Sequence, residues 1–182
     1  MRATFKRRTR FFVAVEGESE QSFVAWLQRL AFQEDLAIHL DTMVLHGGGF
    51  ASMLHQAVTE EKRRAGKRGP YKCRFLLVDE DRSHRGDWSV EKLKGEAKRH
   101  QMQVCVQRPN HEGLLYRMVN GHENDFVTAT TAQAKLRACW RTYEKPVNAQ
   151  KLDQRYSLGD LLRTANFDED LCYLLRTIGM LR

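Results

Sequence analysis

The sequence predicts an α/β fold: a mostly parallel four-stranded sheet with helices on both faces, followed by a helical C-terminal extension. Three observations predict it. As far as Gly121, short apolar runs alternate with stretches of helical periodicity in the order β-α-β-α-β-α-β-α, the pattern of a parallel sheet built from crossover units. The runs Phe11-Phe12-Val13-Ala14-Val15 and Phe75-Leu76-Leu77-Val78 are apolar without polar alternation, as strands covered on both faces are. Both end abruptly in carboxylates, Glu16-Gly17-Glu18-Ser19-Glu20 and Asp79-Glu80-Asp81. Open α/β folds keep their sites at the C-terminal edge of the sheet, where such strand ends lie.

Residues 11–16 form the first predicted strand. Ser19 or Ser22 is placed to cap the helix that follows, and Phe23, Trp26, Leu27 and Leu30 give it one apolar stripe. A second strand over 36–45 carries Ile38, Leu40, Met43 and Leu45. Gly47-Gly48-Gly49 then opens a helix bearing Phe50, Met53, Leu54, Ala57 and Val58, which ends in a basic stretch. The third strand covers 73–78, and Arg82 to Asp87 read as loop. Ser89 caps a helix to about Lys98, with Val90, Leu93 and Ala97 on one face. Residues 101–107 alternate Met102, Val104 and Val106 against glutamines, a strand that Pro109 terminates. Leu114, Leu115, Met118 and Val119 mark a short helix. Beyond Thr128 the pattern is helical throughout: Ala132 to Tyr143, a Ser157/Asp160 capping box before Leu158, Leu161 and Leu162, and a last helix capped by Asn166. The expected organisation is an α/β domain over 1–127 and a helical extension over 128–182 packed on it.

A chain of 182 residues suffices for one continuous core. Its net charge of +7 favours a polyanionic partner. The surplus falls in two runs, Arg2, Lys6, Arg7, Arg8 and Arg10, then Lys62, Arg63, Arg64, Lys67, Arg68, Lys72 and Arg74. Arg7, Arg8, Arg10, Arg63, Arg64, Lys67 and Arg68 are the candidate phosphate contacts, provided both runs face the side of the carboxylates; the alternative is a solvated terminus and turn. Cys73, Cys105, Cys139 and Cys172 have neither zinc nor disulfide spacing. Neither a signal-peptide core nor a membrane-length apolar run is present, so a cytoplasmic protein is expected.

The chemistry-bearing residues are the carboxylates. Glu16 and Asp79 are expected at strand ends, Asp81 two residues beyond, and Glu20 on the first turn of the following helix. Gly17 allows an abrupt turn and close backbone approach. Carboxylates gathered there repel one another unless a divalent cation holds them, and Mg²⁺ (or Mn²⁺) suits oxygen ligands. Glu16, Glu20, Asp79 and Asp81 are therefore the candidate metal ligands. Glu20 also has an ordinary role as a favourable charge at a helix N-terminus. Arg108 and His111, beyond the fourth strand, are candidates for electrostatic or proton-transfer assistance or for plain loop hydrogen bonding. Gly47-Gly48-Gly49 lacks the G-x-x-x-x-G-K-S/T pattern and is not a P-loop. His46 stands beside it and His84 lies on the loop after the acidic triplet; neither has metal spacing with a neighbouring histidine.

The pairing of V-E-G-E-S-E with L-V-D-E-D resembles the Toprim fold of topoisomerases, primases, OLD-family nucleases and small RNA-maturation nucleases. The wording V-E-G-x-S-E, the compact size and the later Q-R-P-N-H-E look most like the RloB-like branch, associated with bacterial restriction and anti-phage loci. The resemblance spans roughly residues 10–120. It implies that Glu16 is the glutamate after the first strand, that Asp79 and Asp81 are the D-x-D pair, that Glu20 is the second glutamate of OLD-like nucleases, and that Glu112 is a further acidic position. Gly113-Leu114-Leu115-Tyr116 stands where RloB-like proteins carry a more aromatic helix.

The expected function is Mg²⁺-dependent hydrolysis of DNA or RNA by one or two metal ions, with a place in anti-phage defence implied by the resemblance. An ATPase or other defence-complex subunit is the protein partner it implies, and an oligomer is compatible with it. The alternatives are a non-catalytic nucleic-acid-binding or assembly subunit, and phosphotransfer on a nucleotide. A topoisomerase or complete primase would need domains for which the chain has no room.

Overall fold

The computed structural model describes residues 7–85 and 88–181. Arg2, Lys6, Gly86, Asp87 and the side chain of His84 lie outside the described residues. The first half runs Thr9–Val15 (β1), Glu18–Gln33 (α1), Ile38–Val44 (β2), Phe50–Arg68 (α2) and Cys73–Asp79 (β3). A 3-10 turn, Glu80–Arg85, stands where loop is expected, followed by Val90–Arg99 (α3), Gln103–Gln107 (β4) and His111–Arg117 (α4). The remainder is Ala129–Cys139 (α5), Ala149–Arg155 (α6), Leu158–Ala165 (α7) and Glu169–Ile178 (α8).

All strand pairs are parallel, in the order β2-β1-β3-β4. The chain leaves β1 toward one side to form β2 and returns to the other side of β1 to form β3. The strand order therefore reverses between β1 and β3, which pair with Val15 opposite Leu77. A crevice opens beyond the strand ends at such a reversal, and Glu16 and Asp79 lie on its two sides.

Successive residues of the central strands feed two cores, as the pleat requires. Phe11, Val13, Val15, Phe75 and Leu77 pack with Phe23, Trp26 and Leu27 of α1. Leu136, Leu152, Leu161 and Leu175 from α5, α6, α7 and α8 belong to that same cluster. Phe12, Ala14, Leu76 and Val78 face the other way, onto Phe50, Met53 and Leu54 of α2 and Leu93 of α3. At about 1.5–3 kcal/mol per buried large apolar side chain, the C-terminal helices supply a substantial part of the first core.

Cap chemistry sets several helix boundaries. Ser89 accepts the Lys92 amide, and Ser157 and Asp160 form the reciprocal capping box read from the sequence. The last helix is capped by Asp168, which accepts the Leu171 amide at 2.9 Å, whereas Asn166 closes α7. Helix α1 begins at Gly17, ahead of both serines, without a side-chain cap. At the sheet edge, Asp170 of α8 accepts the Val106 amide of β4 at 3.3 Å and also binds Arg108 and Lys94. Among the described residues no helix is long and apolar enough to cross a membrane.

Candidate active site

The strand reversal opens into a cleft of about 440 Å³ lined by Glu16, Glu18, Glu20, Asp79, Asp81 and Glu112 together with Arg82 and Lys145. Each carboxylate is positioned by a nameable local cause. Glu16 directly follows β1 and its Oε2 lies 3.4 Å from the Asp79 amide, joining the two strand ends. Asp81 is drawn in by its backbone, whose amide donates to the Pro109 carbonyl at 3.1 Å. Glu112 is fixed by the start of α4, where Asn110 caps the helix by accepting the Gly113 amide at 3.1 Å.

Gly17 is extended, at φ −150°, a conformation open to any residue. Its value is space: a Cβ there would meet Glu20 Oε2 at 3.0 Å. This corrects the expectation of a conformationally special turn. Gly113 is the tighter case, since a Cβ would come within 2.5 Å of Pro109 Cδ and 3.0 Å of the Arg108 carbonyl.

Asp79 is the electrostatic centre. It is 7 % exposed, and its Oδ1 has no hydrogen-bond partner. Burial, and then the charges of Glu20, Glu16, Asp81 and Glu112, push its carboxyl up to about 9. Burial likewise raises Glu16, against the pull of the Arg82 guanidinium that it binds. Burial also favours the neutral acid at Glu112, but Lys145, 2.7 Å away, outweighs it and holds that carboxyl below its usual range. Tyr143 donates to the same Glu112 oxygen at 3.1 Å.

The C-terminal segment thus contributes directly to the cleft. Ser19, inside the first turn of α1 and buried, accepts the Val147 amide at 3.3 Å. That bond holds the segment bearing Lys145 and Pro146 against the cleft wall. The sequence gives little warning of Lys145, one lysine beside a proline whose meaning depends on a contact 128 residues away. Glu18, also within V-E-G-E-S-E, lines the cleft as well, beyond the carboxylates expected there.

The structure brings Glu16, Glu20, Asp79, Asp81 and Glu112 to one cleft, but not Arg108 or His111. Arg108 turns to Asp170, at 2.9 Å, and to Glu80. His111 is fully buried, edge-on to Phe23, with Nδ1 2.9 Å from Gln107 Nε2. Burial lowers its pKa, so it is neutral, and Nδ1 accepts from the Gln107 amide. A proton-transfer role exposed to substrate does not fit that position.

The basic runs are also placed differently from expectation. Arg10 is the second residue of β1 and Arg68 ends α2, which puts both at the N-terminal edge of the sheet. Six strand steps from Arg10 to Glu16 span about 20 Å. Arg10 and Arg64 are committed to buried Asp41, at 3.1 and 2.6 Å. Arg63 makes two bonds to Glu60. Arg7, Arg8, Lys67 and Arg68 remain exposed.

Among the described residues, no group of three His, Cys, Asp or Glu side chains is arranged to hold a metal ion. The carboxylates share a cleft without closing into a cage, because Arg82 draws Glu16 and Lys145 draws Glu112. The donor set itself fits a hard divalent cation: oxygen ligands only, with a buried carboxylate oxygen left unpartnered. Comparison with protein-family models, curated proteins and solved structures finds no match to this chain.

Proposed function

We propose that this chain is a divalent-cation-dependent phosphodiesterase acting on DNA or RNA, with a Toprim-like arrangement of carboxylates. The observation that carries the reading is Asp79, a buried acid with an unpartnered oxygen and four further carboxylates near enough to raise its pKa. Such crowding costs stability in a protein with no cation to bind, and perturbed acids in a cleft mark functional sites. Glu16, Asp79 and Asp81 would hold Mg²⁺ or Mn²⁺, with Glu20 and Glu112 completing the negative field. The metal supplies charge neutralisation of the scissile phosphate and a more acidic bound water. Lys145 and Arg82 present positive charge to the phosphate from the cleft walls. His111, the first residue of α4, is tied to Gln107 at the end of β4. A cytoplasmic role in anti-phage defence, beside an ATPase or other complex subunit, rests on the resemblance of the three sequence motifs alone.

One observation favours a second reading, a non-catalytic nucleic-acid-binding or assembly subunit. Arg82 and Lys145 already neutralise two of the carboxylates, as internal ion pairs would in a site that binds no metal. Two measurements separate the readings. Mg²⁺ or Mn²⁺ should raise the melting temperature of the wild-type chain and not of Asp79→Asn. Wild type should also cleave at least one of linear DNA, circular DNA, single-stranded DNA and RNA, with cleavage abolished in D79N. Absence of both effects would leave the binding-subunit reading standing.

A further inference from the structure

At the end of the sheet remote from the cleft lies a concavity of about 360 Å³ whose cationic lining is Arg7, Arg8, Arg10, Arg68 and Lys72. No carboxylate lines it among the described residues. Its floor is built rather than fortuitous. Arg10 Nη1 donates to the Arg68 and Gly69 carbonyls at 2.6 and 2.9 Å, and Nη2 binds Asp41 at 3.1 Å. The guanidinium lies 4.3 Å over the Tyr71 ring, whose hydroxyl donates to Asp41 at 2.5 Å.

These contacts have an electrostatic result. Carbonyls at the C-terminus of a helix carry the negative end of its dipole and would repel an anion. Arg10 covers two of them at the end of α2. Buried Asp41 is in turn neutralised by Arg10 and Arg64. Arg68 keeps only a 3.9 Å contact to that already neutralised Asp41, and Arg7, Arg8 and Lys72 make no ion pair among the described residues. Arginine predominates, and its planar fork matches phosphate oxygens.

We infer that this concavity is a second nucleic-acid contact, a grip on the phosphate backbone outside the cleft. The contact itself does not require cleavage. Its consequence for length rests on the proposed phosphodiesterase activity: a polymer engaging both places must span at least about 20 Å, or roughly six base pairs. Longer substrates are held at two places, shorter ones only at the cleft.

The test uses the full chain carrying D79N, in chelator, with fluorescence anisotropy on a labelled duplex of about 24 base pairs across about 50–200 mM salt. The variants are R8E/R68E/K72E and the milder R8Q/R68Q/K72Q, all at exposed positions, with melting temperatures confirming the fold. The expected result is an affinity loss of at least about tenfold for the charge-reversed form, with the slope of log affinity against log salt shallower by about three. In the chain with Asp79 intact, the same changes should raise KM for long substrates and leave those under about six base pairs unaffected. Unchanged affinity and slope in both variants overturn the inference. So does binding to phosphatidylserine-containing vesicles without binding to nucleic acid. Loss of binding in the variants with no cleavage by any form would retain the contact and remove only the phosphodiesterase.

Discussion

Lys145 Nζ lies 2.7 Å from Glu112 Oε1, joining the segment before α6 to the first turn of α4 across the mouth of the acidic cleft. The pair converts a C-terminal helical segment into part of the site. Lys145 is half-exposed and within electrostatic reach of Glu20 and Asp79 as well. Lys145→Met should lower turnover by about 10²–10³-fold, the range seen when one preorganised charge-stabilising donor is lost. The melting temperature should fall, because buried Glu112 loses its cation and keeps the Tyr143 hydroxyl, so turnover is compared at a temperature where both chains are folded. Single-turnover cleavage beside thermal melting checks this, and full activity in K145M would remove the lysine from the chemistry.

Ser19→Ala removes the acceptor of the buried Val147 amide. An unsatisfied buried donor costs about 1–3 kcal/mol, so denaturant melts should show a loss in that range. Activity should fall further than stability explains, because the segment holding Lys145 loses its tether. Ser19→Thr, which keeps the hydroxyl, should recover part of both.

Gly113→Ala places a methyl 2.5 Å from Pro109 Cδ. The Pro109 carbonyl also accepts the Asp81 amide, so any shift there is passed to a candidate ligand. Overpacking of this kind costs about 1–3 kcal/mol. The variant should be measurably less stable and bind Mn²⁺ more weakly by calorimetry. A Gly95→Ala control, with nothing within 4 Å of the added atom, should do neither.

Asp79 gives a pH signature. Its carboxyl has an ordinary value of 3.8 and is pushed up to about 9 in the folded, metal-free protein. Between those values the folded chain binds more protons than the unfolded one, so this group makes stability fall as pH rises, by up to about 1.4 kcal/mol per unit. His111, whose pKa is lowered by burial, acts in the opposite sense below about 6.5. The clean window is therefore about pH 7–9, where wild type should lose roughly 2–3 kcal/mol relative to D79N. Saturating Mg²⁺ should flatten the wild-type profile. Parallel profiles for the two chains would mean that Asp79 is ionised without a cation.

Local chemistry was legible wherever one segment decides it. The unbroken apolar runs at Phe11–Val15 and Phe75–Val78 are strands, the capping box at Ser157 and Asp160 opens a helix, and five carboxylates read from the motifs share one cleft. Nonlocal contacts were not legible. Lys145 matters because Ser19 holds Val147, and α6 arises after Asn148 caps a segment with little periodicity, burying one leucine, Leu152. The sidedness of the basic runs lay between these cases. In a parallel sheet every strand start, and every helix end that leads into a strand start, lies on the edge opposite the strand ends, so Arg10 at the start of β1 and Arg68 at the end of α2 were never placed to face Glu16.

The bond from the Val106 amide to Asp170 reaches beyond the cleft. An outermost strand ordinarily invites a neighbour to zip alongside it, and here a carboxylate from α8 has taken a place in that ladder. Self-association through a continuous sheet is thus obstructed along β4, and β2 is closed in the same manner, where Gln28 accepts the Leu40 amide at 2.8 Å and donates to the Ile38 carbonyl at 3.3 Å while Arg64 takes the Thr42 carbonyl at 3.0 Å.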